Sequence, residues 1–85
     1  EGAVILGSVE NSVIFSGVKI EENVVVKDSV IMADVQIREN SVINYSIIDE
    51  SVIIEANLKV GTPIDKNPDI TVIPRESIVR TGGVK

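Results

Sequence analysis

The stretch that decides the fold is IEENVVVKDSVIMADVQ (residues 20–36), followed directly by IRENSVINYSIIDESVI (residues 37–53). The two segments are equally long and align without a gap. The same offset relates polar positions as well as aliphatic ones: Ser12, Ser29 and Ser46; Ile20, Ile37 and Ile54; Val18, Val35 and Val52. Polar positions would not repeat in a chain that is merely rich in Val and Ile, so the sequence contains an internal repeat.

Each 17-residue unit divides into two hexads and a pentad, which in the first segment are IEENVV, VKDSV and IMADVQ. A period of six matches neither the 3.6-residue period of a helix nor the two-residue period of a long strand. It is typical of a short strand followed by a corner, with the first and fifth positions of every piece pointing inward. Three such sides close a triangular coil that stacks about 4.8 Å from the next. The sequence therefore predicts an all-β fold, a parallel β-helix of about four coils with a 17-residue period.

The corners of these coils are predicted at a second set of repeated residues. Asn23, Asn40 and Asn57 share the spacing of the aliphatic ladders. Asn tolerates the left-handed backbone conformation of a tight corner better than any residue except Gly. Three solvated loop residues would have no reason to share this spacing, so the corner role is favoured.

The domain boundaries follow from where the repeat holds. We predict a β-helix domain over residues 1–79, in which GTPIDKNPD (residues 61–69) is a protruding loop because it contains two Pro, and a flexible tail over residues 80–85. The first coil is expected over residues 3–19. An end coil exposes apolar interior unless it is covered. We therefore expect an N-terminal domain, absent from this chain, or a partner subunit to cover that end.

Composition and charge exclude several functional classes. Val and Ile supply 29 of the 85 residues, which favours strand over helix. The net charge is −5 and the eight basic residues are scattered, so no nucleic-acid partner is expected. No apolar run reaches the roughly 18 residues that span a bilayer, so no membrane partner is expected either. The absence of Cys fits a reducing compartment, and we expect a cytoplasmic protein.

Two segments carry a resemblance to a known family. Hexads of the form aliphatic-x-x-x-small-x resemble the hexapeptide-repeat family, whose fold is a left-handed parallel β-helix; that hand is implied by the resemblance alone. More specifically, NSVIFSGVKIEENVVVKDSVIM (residues 11–32) and INYSIIDESVII (residues 43–54) are similar to the C-terminal domain of bacterial glucose-1-phosphate adenylyltransferase, also termed ADP-glucose pyrophosphorylase. Glu21, Arg38 and Glu55 depart from the pattern, because Gly is frequent at these second positions.

The resemblance implies a parent enzyme that makes ADP-glucose from ATP and glucose 1-phosphate for glycogen biosynthesis. Its catalytic residues would lie in an N-terminal domain, where ATP would need Mg²⁺, and no cofactor is expected in the β-helix itself. In this family the β-helix supplies subunit contacts and helps to form an allosteric regulator site. Two alternatives stay open: a non-catalytic regulatory paralogue, or another sugar-phosphate nucleotidyltransferase. A purely structural solenoid with flat Thr rows is disfavoured, because no two Thr residues share the spacing of the repeat.

No catalytic or metal-binding residue is predicted in this chain. Acyltransferases of this fold use a His base, hexapeptide carbonic anhydrases bind metal through His, and the sequence contains no His. The carboxylates Asp28, Asp34, Asp49 and Glu50 fall at predicted corners, where they would be solvated. Arg75 is similar in position to a basic residue that related enzymes use for an anionic regulator, and its planar guanidinium suits phosphate oxygens. An ordinary exposed Arg is the alternative.

Outward-facing apolar residues are the remaining candidates, as contacts with the catalytic domain or a neighbouring subunit of a homo- or hetero-oligomer. At sixth positions, Val25 is predicted to stack beneath Val42, and Ile53 lies on another side. Phe15 and Met32 are second-position residues one repeat apart. Stacked surface apolar residues form stripes, and such stripes mark docking surfaces more often than isolated residues do.

Overall fold

The fold is built almost entirely from two- and three-residue strands. A computed structural model describes residues 2–81 together with the backbone of residues 83–84. The strands are β1 (Val4–Ile5), β2 (Ser8–Glu10), β3 (Val13–Ile14), β4 (Lys19–Ile20), β5 (Val25–Lys27), β6 (Val30–Ile31), β7 (Gln36–Ile37), β8 (Val42–Asn44), β9 (Ser46–Ile48), β10 (Ile53–Ile54), β11 (Lys59–Val60), β12 (Thr71–Ile73), β13 (Ile78–Arg80) and β14 (Gly83–Val84). A short 3-10 helix covers Ile64–Lys66.

The strands form three sheets in which every third strand is a parallel neighbour, with β14 added at one edge. Sheet A has the order β1-β4-β7-β10-β13-β14, sheet B the order β11-β8-β5-β2, and sheet C the order β12-β9-β6-β3. Within sheet A, Ile20 pairs with Ile37 and Ile37 with Ile54. This topology is a β-helix, so the predicted all-β fold and the 17-residue period of the central coils are confirmed.

The interior is a set of stacked aliphatic side chains. Fully or nearly fully buried are Val18, Ile20, Val24, Val26, Ile31, Val35, Ile37, Ile43, Ile48, Val52, Ile54, Val60, Ile73 and Val79. The predicted Ile and Val ladders are among them. Each full burial of such a side chain stabilises the fold by roughly 1.5–3 kcal/mol. Because like residues stack on like, each coil completes the core of its neighbours.

The inward positions of the pentads differ from the prediction. In the pentads VKDSV and INYSI the fifth residues, Val30 and Ile47, are only partly buried, whereas the fourth residues, Ser29 and Ser46, are buried. A pentad turns its corner with one residue where a hexad uses two. Strand alternation therefore resumes one position earlier and directs the fifth residue outward. The predicted first-and-fifth rule is right for the central hexads and wrong for the pentads.

The buried serines form a hydrogen-bonded ladder inside sheet C. Ser29 N–H donates to Ser12 Oγ at 3.0 Å, and Ser46 N–H donates to Ser29 Oγ at 3.1 Å. The hydroxyls of Ser29 and Ser46 donate to Lys27 O and Asn44 O, at 2.7 and 2.8 Å. Each hydroxyl thus replaces a backbone partner that the tight pentad corner removes, which explains why Ser repeats in this column.

The first coil is shorter than predicted. In sheet A, Ile5 pairs with Ile20, so the step between these strands is two positions shorter than the step from Ile20 to Ile37. The coil expected over residues 3–19 is wrong in length for that reason. The corner between β1 and β2 contains two residues, Leu6 and Gly7. The equivalent corner of the next coil, between β4 and β5, contains four residues. Gly7 is required there, because a Cβ on it would overlap Val24 O.

The corners use the left-handed backbone conformation. Asn23, Asn40 and Asn57 have φ of 61°, 64° and 63°, which confirms their predicted corner role. Positive φ also occurs at residues that tolerate it poorly, namely Tyr45, Ser51 and Glu76. These corners are held in place by the coils on which they stack.

The last coil contains the loop. Ile54 pairs with Val79, a longer step than the one from Ile37 to Ile54, because residues 61–69 extend the corner between β11 and β12. The loop begins at Gly61, which has a φ of 79° and where a Cβ would overlap Asn44 O. Part of the predicted tail is strand: Val79 pairs antiparallel with Val84, and Arg80 with Gly83. Gly82 and Lys85, which also belong to that predicted tail, lie outside the described residues.

Candidate functional site

The acidic residues lie at the corners of the coils. Asp34 and Glu50 are exposed, and Asp28 and Asp49 are partly buried. Asp28 Oδ1 accepts a hydrogen bond from Asn11 Nδ2, and Asp49 Oδ1 accepts one from Glu50 N–H, both at 2.7 Å. Two of the four carboxylates thus bind neighbouring corner groups. Over residues 2–81, no three His, Cys, Asp or Glu side chains come together to hold a metal ion.

Arg75 lies in the exposed corner turn of the last coil. Glu76 N–H donates to Glu50 O at 2.9 Å, which places Arg75 above Glu50 in the stack. The side chain is exposed, and its stacking neighbour is acidic. The predicted role of Arg75 in binding an anionic regulator remains a prediction.

Two other arginines belong to a column of alternating charge that sequence reasoning missed. The backbone N–H groups of Glu21, Arg38 and Glu55 donate to carbonyl oxygens of the next coil, namely Ile37 O, Ile54 O and Val79 O. These hydrogen bonds place four charged residues one above the other in successive coils: Glu21, Arg38, Glu55 and Arg80. Arg38 Nε is enclosed without a hydrogen-bond partner. Arg80, Glu55, Ala56 and Thr81 line a shallow groove of about 500 Å³. The signal was present in the sequence as Glu21, Arg38 and Glu55, which occupy the second positions of their hexads.

The predicted Val25–Val42 stripe lies in a second groove, of about 430 Å³, between sheet B and the loop. Pro63 and Ile64 of the loop line it together with these two valines. Charged residues line it as well, and among them Lys27 Nζ lies 3.9 Å from Glu10 Oε1. The stripe therefore lies in a groove beside the chain's own loop, and its role as an interface remains a prediction.

The other interface candidates lie on different sheets. Ile53 is partly buried on the outside of sheet A, between Gln36 and Ile78. Phe15 and Met32 follow β3 and β6 and occupy equivalent positions beside sheet C. Phe15 is 43 % exposed. The structure thus brings Phe15 and Met32 to one face and places the remaining candidates elsewhere.

A further apolar row lies on the outside of sheet C and was missed. Val13 pairs with Val30, Val30 with Ile47, and Ile47 with Val72. The sequence contained the signal at the fifth position of each pentad, but the hexad rule assigned Val30 and Ile47 to the interior. The row consists only of aliphatic residues, over four neighbouring strands.

The N-terminal end of the stack is open. Ile5 and Leu6 are 44 % and 58 % exposed, and the inward-facing Val9 and Ile14 are only partly buried. At the opposite end, Ile73 and Val79 are buried. The first coil is therefore more exposed than the last, and the domain or partner subunit expected to cover it remains a prediction. None of the described helices has the length and apolar character needed to cross a membrane.

These features together describe a stacked scaffold whose polar groups mainly hold corners. A family model described as GlmU-like, C-terminal hexapeptide matches residues 1–80. No curated protein and no solved structure matches the chain.

Proposed function

The chain belongs to the GlmU-like C-terminal hexapeptide family, and we propose that it is the non-catalytic assembly domain of a sugar nucleotidyltransferase. The observation that carries the proposal is the family match over residues 1–80 of a solenoid whose repeated residues serve stacking. The core ladders, the serine ladder and the Asn corners account for most of the repeated positions. The coils differ mainly in the residues on their outer faces, where another domain or subunit would bind.

The finer proposal is that the parent is glucose-1-phosphate adenylyltransferase, an enzyme of bacterial glycogen biosynthesis that acts in the cytoplasm. It is supported by the similarity of residues 11–32 and 43–54 to the C-terminal domain of that enzyme. The sequence contains no His, which disfavours acyl transfer by the β-helix itself. The alternatives are a non-catalytic paralogue and a nucleotidyltransferase for another sugar phosphate.

In this proposal the chemistry takes place in the N-terminal catalytic domain, and the β-helix contributes subunit contacts. Mg²⁺ would act there together with ATP, as the resemblance to that enzyme implies. The regulatory part rests on Arg75, whose guanidinium would bind an anionic oxygen of a small regulator.

The test is an assay of the full-length parent with two substrate pairs in the presence of Mg²⁺. ATP with glucose 1-phosphate should release pyrophosphate and form ADP-glucose. Product only from another nucleotide and sugar phosphate would contradict the finer proposal and retain the nucleotidyltransferase class. No pyrophosphate with any pair would contradict an active parent and favour the non-catalytic paralogue.

The regulatory role is tested in the same parent with Arg75→Ala and, as a matched control, Lys59→Ala on another exposed surface. If Arg75 binds an anionic regulator, Arg75→Ala should raise the concentration of phosphosugar or inorganic phosphate needed for half-maximal regulation by about tenfold or more, which corresponds to about 1.4 kcal/mol. Basal activity should stay unchanged. Equal responses of the two variants would contradict the role of Arg75.

A further inference from the structure

The groove between sheet B and the loop has a floor of two different strips. Val25 and Val42 lie side by side in register on β5 and β8 and form an aliphatic strip. Two positions further along the same strands, Lys27 and Asn44 are also paired and form a polar strip. Because side chains two positions apart in a strand share one face, both strips line the same groove.

The wall of the groove is the loop, whose shape is held by its own backbone. Gly61 turns the chain out of β11 with a φ of 79°. Lys66 N–H donates to Pro63 O at 2.9 Å, and Asn67 N–H donates to Ile64 O at 3.0 Å, which closes the 3-10 turn. Ile64 is 50 % exposed and lines the groove together with Pro63. The wall thus adds aliphatic carbon to the aliphatic strip of the floor.

The charges around the groove are mostly negative. Glu10, Asp28 and Asp65 line it together with Lys27, so three carboxylates face one ammonium group and leave two negative charges in excess. Lys27 Nζ lies 3.9 Å from Glu10 Oε1, and these two charges offset each other. Among residues 2–81, no Lys or Arg lies within 4.0 Å of the carboxylate of Asp28 or Asp65. The uncompensated charge therefore belongs to these two aspartates.

We propose that this groove binds a small aliphatic ammonium compound, whose hydrocarbon chain lies on Val25, Val42 and Ile64 and whose ammonium group binds the carboxylates of Asp28 and Asp65. The volume of about 430 Å³ suits a small molecule, since sites of this kind measure roughly 300–1,000 Å³. An anion of the same length would meet the two carboxylates, so charge selects the cation. The proposal goes beyond the assembly role and does not depend on it.

The affinity of the groove is set by how open it is to water. Asp65 is exposed and Asp28 is partly buried, so water and salt screen their attraction for a cation. The hydrocarbon chain loses only part of its contact with water, because one side of it stays in solvent. A dissociation constant of about 1 mM is therefore expected. It should rise as salt is added.

The test is a titration of the isotope-labelled chain with hexylammonium, followed by the amide NMR spectrum. Saturable shifts are expected at the amides of Lys27, Asn44 and Asp65. Methylammonium has the charge without the chain, and hexanoate has a chain of the same length with the opposite charge. Each should bind about tenfold more weakly than hexylammonium, or more weakly still.

A double variant tests the two aspartates. Asp28→Asn with Asp65→Asn removes both charges and keeps the side-chain shape; Asn suits the φ of 54° at residue 28, and its amide oxygen can accept the hydrogen bond from Asn11. This variant should weaken hexylammonium binding by about tenfold. Asp34→Asn is the matched control, because Asp34 is a corner residue with a φ of 62° that does not line the groove.

Circular dichroism and a thermal melt establish that each variant is folded. A wild-type chain without saturable shifts would overturn the proposal. Hexanoate binding as tight as that of hexylammonium would do the same, and this comparison needs no variant. Equal weakening by the double variant and by Asp34→Asn would also contradict it, because binding would then follow the overall charge and not the groove. None of these outcomes bears on nucleotidyltransferase activity, which the substrate assay tests separately.

Discussion

The first coil and the central coils of this solenoid are built from the same kinds of residues but are buried to very different extents. Ile5 is 44 % exposed, whereas Ile37 in the equivalent position two coils later is completely buried. Both belong to sheet A. The difference is that Ile37 has a coil on each side and Ile5 has a coil on one side. Burial in this molecule is therefore a property of the neighbouring coils and not of the residue type.

The largest effect is expected from truncating the core in the two regions. Ile37→Ala should lower the free energy of unfolding by about 2–5 kcal/mol, because the stacked coils leave a cavity that cannot collapse. Ile5→Ala is the matched variant and should cost less than about 1.5 kcal/mol, since much of that side chain is already in water. Urea denaturation followed by circular dichroism measures both. Equal costs would contradict the dependence of burial on neighbouring coils.

The serine ladder allows a second comparison of the same kind. Ser29→Ala removes the acceptor of the buried Ser46 N–H and should cost about 1–3 kcal/mol. Ser12→Ala removes the acceptor of Ser29 N–H, but Ser12 lies in the open first coil, where water can replace it. We expect a cost below about 1 kcal/mol for Ser12→Ala. Thermal melts of both variants give the order, and a larger cost at Ser12 would contradict it.

Reciprocal substitutions at two corners should change the free energy of unfolding in opposite directions. Asn40→Glu places a residue that tolerates positive φ poorly in a central corner, at a cost of about 1 kcal/mol. Glu76→Asn relieves the same conformation in the last coil and should stabilise the fold by about 0.5–1 kcal/mol. Differential scanning calorimetry measures both shifts. If Asn40→Glu stabilised the fold instead, the positive φ of these corners would not explain the preference for Asn there.

The smallest effect is expected at the ion pair that joins the first two coils. Lys27 Nζ lies 3.9 Å from Glu10 Oε1, and both side chains are largely exposed. Exposed pairs contribute roughly 0–1 kcal/mol and are screened by salt. Lys27→Ala should therefore leave the melting temperature nearly unchanged, with little further change on adding salt. A large loss would show that the first coil is held by charge as well as by stacking.

The extent to which the fold was predictable depends on the kind of corner. The hexad positions Ile20, Ile37 and Ile54 and the corner residues Asn23, Asn40 and Asn57 were predicted from spacing alone. The pentads were not, because the number of residues that turn a corner decides which way the next side chain points. Val30 and Ile47 were for that reason placed inside, which concealed the row on sheet C.

Two other features depended on contacts between coils that spacing does not show. The shortened step of the first coil brings Gly7 so close to Val24 O that no Cβ would fit there. The position of the loop beside Val25 and Val42 follows from how Pro63 and Ile64 fold back. Both are long-range contacts, so a repeat pattern carries no information about them. The spacing of the repeat therefore predicted the stacked scaffold, whereas the packing on its outer surfaces could be seen only in the structure.

Native-state hydrogen exchange tests most directly whether stacking between coils determines stability. Leu6 N–H in the first coil and Gln36 N–H in a central coil make backbone hydrogen bonds of similar length, 2.8 Å to Ile20 O and 2.9 Å to Val52 O. Stacking predicts that Gln36 exchanges only through global unfolding, whereas Leu6 exchanges faster through local opening of the first coil. Equal protection of the two amides would contradict this account.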